Sequence, residues 1–263
     1  MSTRPVDELI GQIDDELYMR GLRLEVIRPE VEQRNTPWMD RLIRDFHDIA
    51  VDSFGRSLPY EAIDGRTREA DVLTVLRGGD GEALAYTVNA RLELGGVPVN
   101  YFATALARRR MQGKGFYRLI NPLREALIPD AQAVMTRTQN PLVDHSFAKV
   151  CAQGGYVLYP EPDMSGDAFP LHAVDMSGRA LTIARAFAAG VEPSLICKGV
   201  YDFGEPCGPR ALMYDTPAPV TDRQKRIWSQ MDVERGDAVI LVGIRQQGVI
   251  ILDPEGWMHG PPR

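Results

Sequence analysis

Residues 83–117 read ALAYTVNARLELGGVPVNYFATALARRRMQGKGFY, and this stretch decides the fold. Leu84, Tyr86, Val88, Ala90, Leu92 and Leu94 fall on even positions, with Thr87, Asn89, Arg91 and Glu93 between them. A period of two is that of a strand with one buried face. Gly95 and Gly96 turn the chain, and Val97, Val99, Tyr101, Ala103, Ala105 and Ala107 continue the alternation, so 83–107 is expected to be a long antiparallel hairpin. It leads into the basic loop Arg108, Arg109, Arg110, Met111, Gln112, Gly113, Lys114, Gly115 and then a helical pattern carrying Leu119, Ile120, Leu123 and Leu127. Backbone N–H groups in a glycine-permitted turn form an anion nest, and the following helix adds its positive end. Without a side chain at the glycines, the oxygens of a pyrophosphate can come within hydrogen-bond range. A tight, solvated basic loop is the alternative reading of the same letters.

Working outward, Val6, Leu9, Ile10, Ile13 and Leu17 predict a helix over 6–20 ended by Gly21, and Leu22, Leu24 and Val26 a strand that breaks at Pro29. Thr36 and Pro37 cap a helix with Leu42, Ile43, Phe46, Ile49 and Ala50 inward. Val72–Arg77 is a strand that turns through Gly78, Gly79 and Gly81. Beyond the loop come a helix over 116–127, a strand over 133–138, a helix opened by Asn140 and Pro141, and a strand over 156–159. A boundary falls in the region of Pro160, Pro162 and Gly166. After it, a helix over 180–189, a capping box of Thr221 and Gln224 opening a helix through Met231, and strands at 239–244 and 249–252 are expected. The chain thus divides into an N-terminal helix (1–21), a main domain (22–160) and a C-terminal extension or accessory half-domain (161–263).

Composition narrows the class. With 263 residues, 44% hydrophobic and 25% charged, the chain is long enough for a sizeable core. Thirty basic against thirty-six acidic residues leave a formal charge of -6, so no global basic field favours nucleic acid or an anionic membrane. No window is apolar enough to span a bilayer, and the expected compartment is the cytoplasm. Cys151, Cys197 and Cys207 lack a paired spacing, and His47, His172 and His259 are scattered, so no metal site is expected.

The element order over 22–160, with its glycine loop between an antiparallel hairpin and a helix, resembles the GNAT N-acetyltransferase superfamily. That family's Gln/Arg-x-x-Gly-x-Gly/Ala motif is similar to Gln112-Gly113-Lys114-Gly115-Phe116-Tyr117, with Tyr117 in the last small place; Arg110-Met111-Gln112-Gly113-Lys114-Gly115 is a second register. The resemblance implies an α/β (α+β) fold: a mixed, mainly antiparallel central sheet flanked by helices, followed here by a C-terminal α/β extension. It implies an acyltransferase using acetyl-CoA or another acyl-CoA, held by backbone N–H groups of Gly113 through Tyr117, with Gln112, Lys114 and Phe116 in the same loop. The thioester carbonyl would bond a backbone N–H near Ala105 to Ala107. Asn140 matches the family's asparagine, and Phe147 stands where the family has a tyrosine that protonates the leaving thiolate. A base for the attacking amine is sought among Glu93, Tyr101 and His145. The acceptor is expected to be a small-molecule amine, with neither nucleic acid nor membrane as partner, and a homodimer is possible. Two other functions fit the same resemblance: an N-acyl synthase fed by an acyl carrier protein, and a catalytically silent acyl-CoA-binding module.

Overall fold

Side chains written plainly in the sequence set three helix starts. Helix α2 (Pro37–Phe54) has proline in its first turn, and Thr36 accepts a hydrogen bond from the Met39 N–H. Helix α5 (Pro141–Gly154) repeats the device, with Asn140 accepting from Leu142 N–H at 2.9 Å. Helix α7 (Asp222–Trp228) opens with the full Thr221/Gln224 box. The computed structural model describes residues 5–160, 171–201 and 218–245, apart from the side chains of 171–176. The expected strand at 249–252, Pro162, Gly166, Cys207 and His259 lie outside those residues.

The remaining elements are helices α1 (Val6–Tyr18), α3 (Tyr60–Arg68), α4 (Phe116–Ala126) and α6 (Leu171–Phe187), and strands β1 (Leu22–Ile27), β2 (Val72–Gly78), β3 (Ala83–Leu94), β4 (Val97–Ala107), β5 (Ala133–Thr138), β6 (Tyr156–Tyr159), β7 (Ile196–Cys197) and β8 (Ala238–Arg245). They form one sheet in the order β1-β2-β3-β4-β5-β8-β6, with β7 also paired to β8. Each pairing is antiparallel except β4 with β5. The mixed, mainly antiparallel sheet flanked by helices implied by the GNAT resemblance is therefore the architecture observed.

Helices α1 and α4 cover one face, burying Leu9, Ile13 and Leu17 against Leu24, Leu76, Ile120 and Leu123. On the other face α2 and α3 pack on Leu73, Val75, Tyr86 and Val88. The Phe46 ring there stacks on Tyr86 with centroids 4.0 Å apart. Helix α6 continues that face over Val99, Met135, Ile240 and Val242.

Three features differ from the sequence reading. The polar side of β3 faces water only at Arg91 and Glu93: Thr87 and Asn89 are as buried as Tyr86 and Val88, because α4 lies over them. Thr87 is satisfied there by Thr74 at 2.6 Å, and Asn89 by Asn100 at 2.6 Å. Secondly, the alternation of β4 does not run unbroken to Ala107. Val88 pairs with Thr104 but Asn89 pairs with Phe102, so Ala103 is an extra residue and a β-bulge. Past it the faces exchange: Tyr101 belongs with α6, whereas Ala107 packs with α4. Thirdly, α3 forms although no helix was expected over 60–68, and α6 begins nine residues before the expected start at 180.

Strand β8, from the segment set apart as an extension, lies between β5 and β6 with its full length buried up to Ile244. Gly243 makes that close fit possible. A Cβ there would stand 2.6 Å from Cys151 Sγ, 2.7 Å from Val134 Cγ2 and 3.2 Å from Tyr156 Cβ. Gly243→Ala should therefore lower stability in urea unfolding by about 1–3 kcal/mol, the usual cost of overpacking. Adding Cys151→Ala should recover part of that loss; an unchanged midpoint in the single variant would show that β8 is not pressed against α5.

Candidate functional site

Strands β4 and β5 are paired only from Val99 with Ala133 to Tyr101 with Met135. Beyond that point β4 runs on to Ala107 and β5 to Thr138, and the strands part. The first step of the opening is bridged by a side chain, Thr136 Oγ1 donating to Phe102 O at 3.0 Å. The bulge at Ala103 sits at this fork, so strand separation and bulge occur together.

A buried guanidinium holds the fork in shape. Arg124, in the last turn of α4, is 4% exposed and donates from Nε to Asn89 Oδ1 at 2.8 Å. Its Nη2 donates to Val88 O at 3.1 Å and Thr104 O at 3.0 Å, the carbonyls on either side of the bulge. The guanidinium lies 4.3 Å from the centre of the Phe102 ring, whose edge meets Phe147. Asn100 returns a bond to Arg124 O at 2.8 Å. Burial pushes the Arg124 pKa down to about 9. At neutral pH the side chain is still a cation, and its charge lies beneath the fork.

The glycine loop stands at the far end of β4. Gly113 and Gly115 both have positive φ, +73° and +83°, a region that other residues enter only with strain. Gly115 caps α4, and no side chain caps the helix in its place. Among the described residues the N–H groups of Gly113, Gly115, Phe116 and Tyr117 have no hydrogen-bond partner, whereas those of Gln112 and Lys114 bond back to Arg109 and Met111 carbonyls. A Cβ added at either glycine would meet nothing within 4 Å. The loop therefore presents several free donors and a helix end to open space.

Side chains on this loop turn toward the fork. Tyr117 donates its hydroxyl to Ala105 O, and Gln112 Nε2 donates to Ala107 O at 3.4 Å and Ser53 Oγ at 3.2 Å. Both carbonyls belong to the β4 edge that β5 has left. Burial pushes the Tyr117 hydroxyl up to about 12. One turn along, Asn121 is buried with its side-chain oxygen unpartnered. Tyr117, Asn121 and Arg124 form a polar stripe on a helix that is otherwise apolar inward.

The other residues singled out in the sequence fall in different places. Asn140 caps α5 and uses its side-chain oxygen to do so. Phe147 is buried among Phe102, Val134 and Val150. His145, two residues away and so about 200° around the helix, is exposed on the opposite side. Glu93 is exposed near the turn joining β3 to β4, opposite Pro98, about 20 Å of strand from Ala105 at roughly 3.4 Å per residue. Tyr101 stands at the fork, nearly buried, with its ring 4.7 Å from Phe187; burial raises its pKa. Lys114 is exposed, and its carbonyl accepts from Arg20. In the basic run, Arg108 and Arg110 both pair with Glu82, while the Arg109 N–H donates to Asp52. The structure therefore gathers Tyr101, Ala105, Ala107, Gln112, Gly113, Gly115, Phe116 and Tyr117 along one edge, without Glu93 or His145.

Arg124 and the Ala103 bulge were missed in the sequence. An arginine inside an amphipathic helix reads as a solvated face, and alanine shows no preference between the faces of a strand. Among the described residues no cluster of histidine, cysteine, aspartate or glutamate could hold a metal ion. No helix there is long and apolar enough to cross a membrane.

No family model matches the chain, and no curated protein matches it. Similar solved structures include the glucosamine N-acetyltransferase region of a fungal multi-domain β-N-acetylglucosaminidase, at 14% identity and TM-score 0.40, covering 52% of this chain and 17% of that one. Another is the diaminobutyrate acetyltransferase EctA of Paenibacillus lautus, solved with diaminobutyric acid and coenzyme A, at 10% identity and TM-score 0.39, covering 57% and 87%. A third is the spermidine N-acetyltransferase SpeG of Vibrio cholerae, at 17% identity and TM-score 0.35, covering 56% and 86%. This chain thus spans about a sixth of the first protein and most of the other two.

If Arg124 holds the bulge, Arg124→Met should leave Val88 O, Thr104 O and Asn89 Oδ1 without their donor. The expected loss is about 2–4 kcal/mol in urea unfolding, from two or more buried acceptors left unmet. A midpoint equal to wild type would show that the bulge holds itself.

Proposed function

We propose that this chain is an acyl-CoA N-acyltransferase of the GNAT kind, acting on a small-molecule amine. The observation that carries the reading is the edge itself: a strand freed from its parallel neighbour, ending in a loop with four unmet N–H donors at a helix start. The unmet donors and the open space at Gly115 suit an extended phosphate-bearing ligand laid along β4. Acyl-CoA would supply the thioester whose carbonyl carbon takes the amine.

The chain's own residues then have distinct roles. N–H groups of Gly113, Gly115, Phe116 and Tyr117 hold the pyrophosphate. Gln112 and Tyr117 mark the β4 carbonyls with which the pantetheine amides would exchange. The backbone of the freed edge, from the bulge at Ala103 to Ala107, offers N–H groups to the thioester oxygen as it gains charge. The amine forms a bond to the acyl carbon while the carbon–sulfur bond breaks, so the sulfur must be protonated or leave as thiolate and the amine must give up a proton. Phe147 has no proton to give. Tyr117 does, with its hydroxyl on Ala105 O beside the freed edge; burial pushes that hydroxyl up to about 12, so it is a weak acid that yields its proton only to a sulfur gaining charge as the carbon–sulfur bond breaks.

The silent acyl-CoA-binding module is favoured by one observation, the apolar burial of Phe147 where the resembling family has its acid. The two readings separate on turnover. Purified protein with acetyl-CoA and a panel of amines should release free thiol only when an amine is present. Binding of acetyl-CoA without thiol release for any amine would leave the silent module, and release only from an acylated carrier protein would leave the carrier-fed synthase.

Two variants test the assigned parts. Gly115→Ala should weaken CoA binding in calorimetry by about 1–3 kcal/mol, the size of one or two lost charge-assisted bonds. An equal CoA-induced rise in melting temperature for variant and wild type would refute the loop as the pyrophosphate site. Tyr117→Phe should keep CoA binding and lower kcat by tenfold or more, about 1.4 kcal/mol of barrier. An undiminished kcat would show that the sulfur leaves without Tyr117.

A further inference from the structure

On the face of the fork opposite α4, Arg137 follows Met135 along β5 and stands across the opening from the bulge at Ala103. By strand alternation its side chain shares the face of Met135 and Tyr101. Its guanidinium lies 5.3 Å from the centre of the Tyr201 ring and 5.7 Å from that of Phe187, which packs in turn on Tyr101. The Tyr201 hydroxyl donates to Arg137 O at 2.9 Å and fixes that ring against the strand.

Among the described residues the guanidinium has no anion beside it. Several other partly buried arginines of this chain have one: Arg68 pairs with Asp40 at 2.6 Å and Asp64 at 2.8 Å, Arg77 with Glu25 at 2.9 Å, and Arg245 with Glu125 at 2.9 Å. Among the described residues Arg137 meets ring faces and the Tyr201 hydroxyl but no carboxylate, and its Nε is buried without an acceptor. Arg66 of α3 acts on the Tyr101 hydroxyl and adds a second positive charge to the same side. Aromatic rings against the guanidinium orient it and lower the local dielectric, which strengthens pairing to an anion that arrives in the plane of its donors.

We infer that Arg137 receives a carboxylate of the acyl acceptor, so that the substrate is an amine bearing a carboxylate, an amino acid in the widest sense. The inference rests on the acyl-transfer reading above and gives it a substrate class. With the thioester reaching the fork from the α4 side, an acceptor held at Arg137 brings its amine to the bulge from the other face. Amines without a carboxylate, polyamines among them, would leave the guanidinium unpaired and meet a positive field.

The test uses the whole protein with acetyl-CoA and amino acids paired with their methyl esters and their decarboxylated amines. Wild type should use the acids with kcat/KM at least tenfold above either partner that lacks the carboxylate. Arg137→Gln should bring that ratio near unity, chiefly by raising KM for the acids, and Arg137→Lys should restore part of it. Each variant is checked by its CoA-binding calorimetry, so that a misfolded protein is recognised. Thiol release that favours amines without a carboxylate, or a ratio unaltered in Arg137→Gln, would overturn the inference and leave the acyltransferase standing. Should no amine give turnover, melting temperatures with amino acids still decide: stabilisation of wild type but not of Arg137→Gln keeps the carboxylate site and removes the transferase, and stabilisation of neither removes the site.

Discussion

A single buried cation keeps the centre of this sheet irregular. A β-bulge frees carbonyl groups that a regular ladder would have paired, and in a dry interior such groups need donors. Arg124 supplies them from a helix that crosses over the strand, reaching Val88 and Thr104 with one nitrogen and Asn89 with another. A guanidinium is costly to bury unless its donors are met, so arginine and bulge each make the other tolerable. Their joint effect is geometric. The bulge exchanges the faces of β4, which brings Ala107 under α4 and sets the end of the strand against the glycine loop.

The separation of β4 from β5 follows from the same place. Once β4 has turned, β5 can no longer match its hydrogen bonds, and Thr136 substitutes a side chain for the first missing one. The exposed edge is then partly covered by the loop's own Tyr117 and Gln112. An unpaired strand edge is ordinarily a hazard, because it can recruit another chain. Here Tyr117 and Gln112 cover it, and a ligand reaching the edge would have to displace their hydrogen bonds.

How much of this was legible in the sequence depends on how local the signal is. The hairpin, the glycine loop and the caps at Thr36, Asn140 and Thr221 are set by residues within a few positions of each other, and they stand where the letters put them. The bulge is not local in that sense: an alanine fits either face, so the letters carry the alternation through Ala103 without a break. The polar side of β3 looked solvated because Thr87 and Asn89 are read without knowledge of α4 above them. Helix α3 was hidden by Gly65 and by having only Ile63 and Thr67 buried, too few to make a stripe. Of the residues singled out for the proposed site, the loop donors and Tyr101 lie along one edge while Glu93 and His145 lie away from it, a placement set by strand depth and helical phase rather than by the letters. Arg137 and Arg124 belong to the same lesson: burial, not identity, distinguishes an arginine that matters from one that is merely soluble.

The position of β8 also bears on how the molecule is made. Its partners on β5 lie about a hundred residues earlier in the chain, a separation that raises contact order and slows folding. Until β8 arrives, β5 and β6 have no strand between them, and the apolar faces of Val134 and Tyr156 that β8 covers stay accessible. A nascent chain leaving the ribosome could therefore complete the β1–β4 meander early, yet would hold the fork side of the sheet unfinished until synthesis had passed residue 245. Completion of the fork side is thus tied to β8, the last strand among the described residues, and chaperone dependence should fall on that interval rather than on the hairpin.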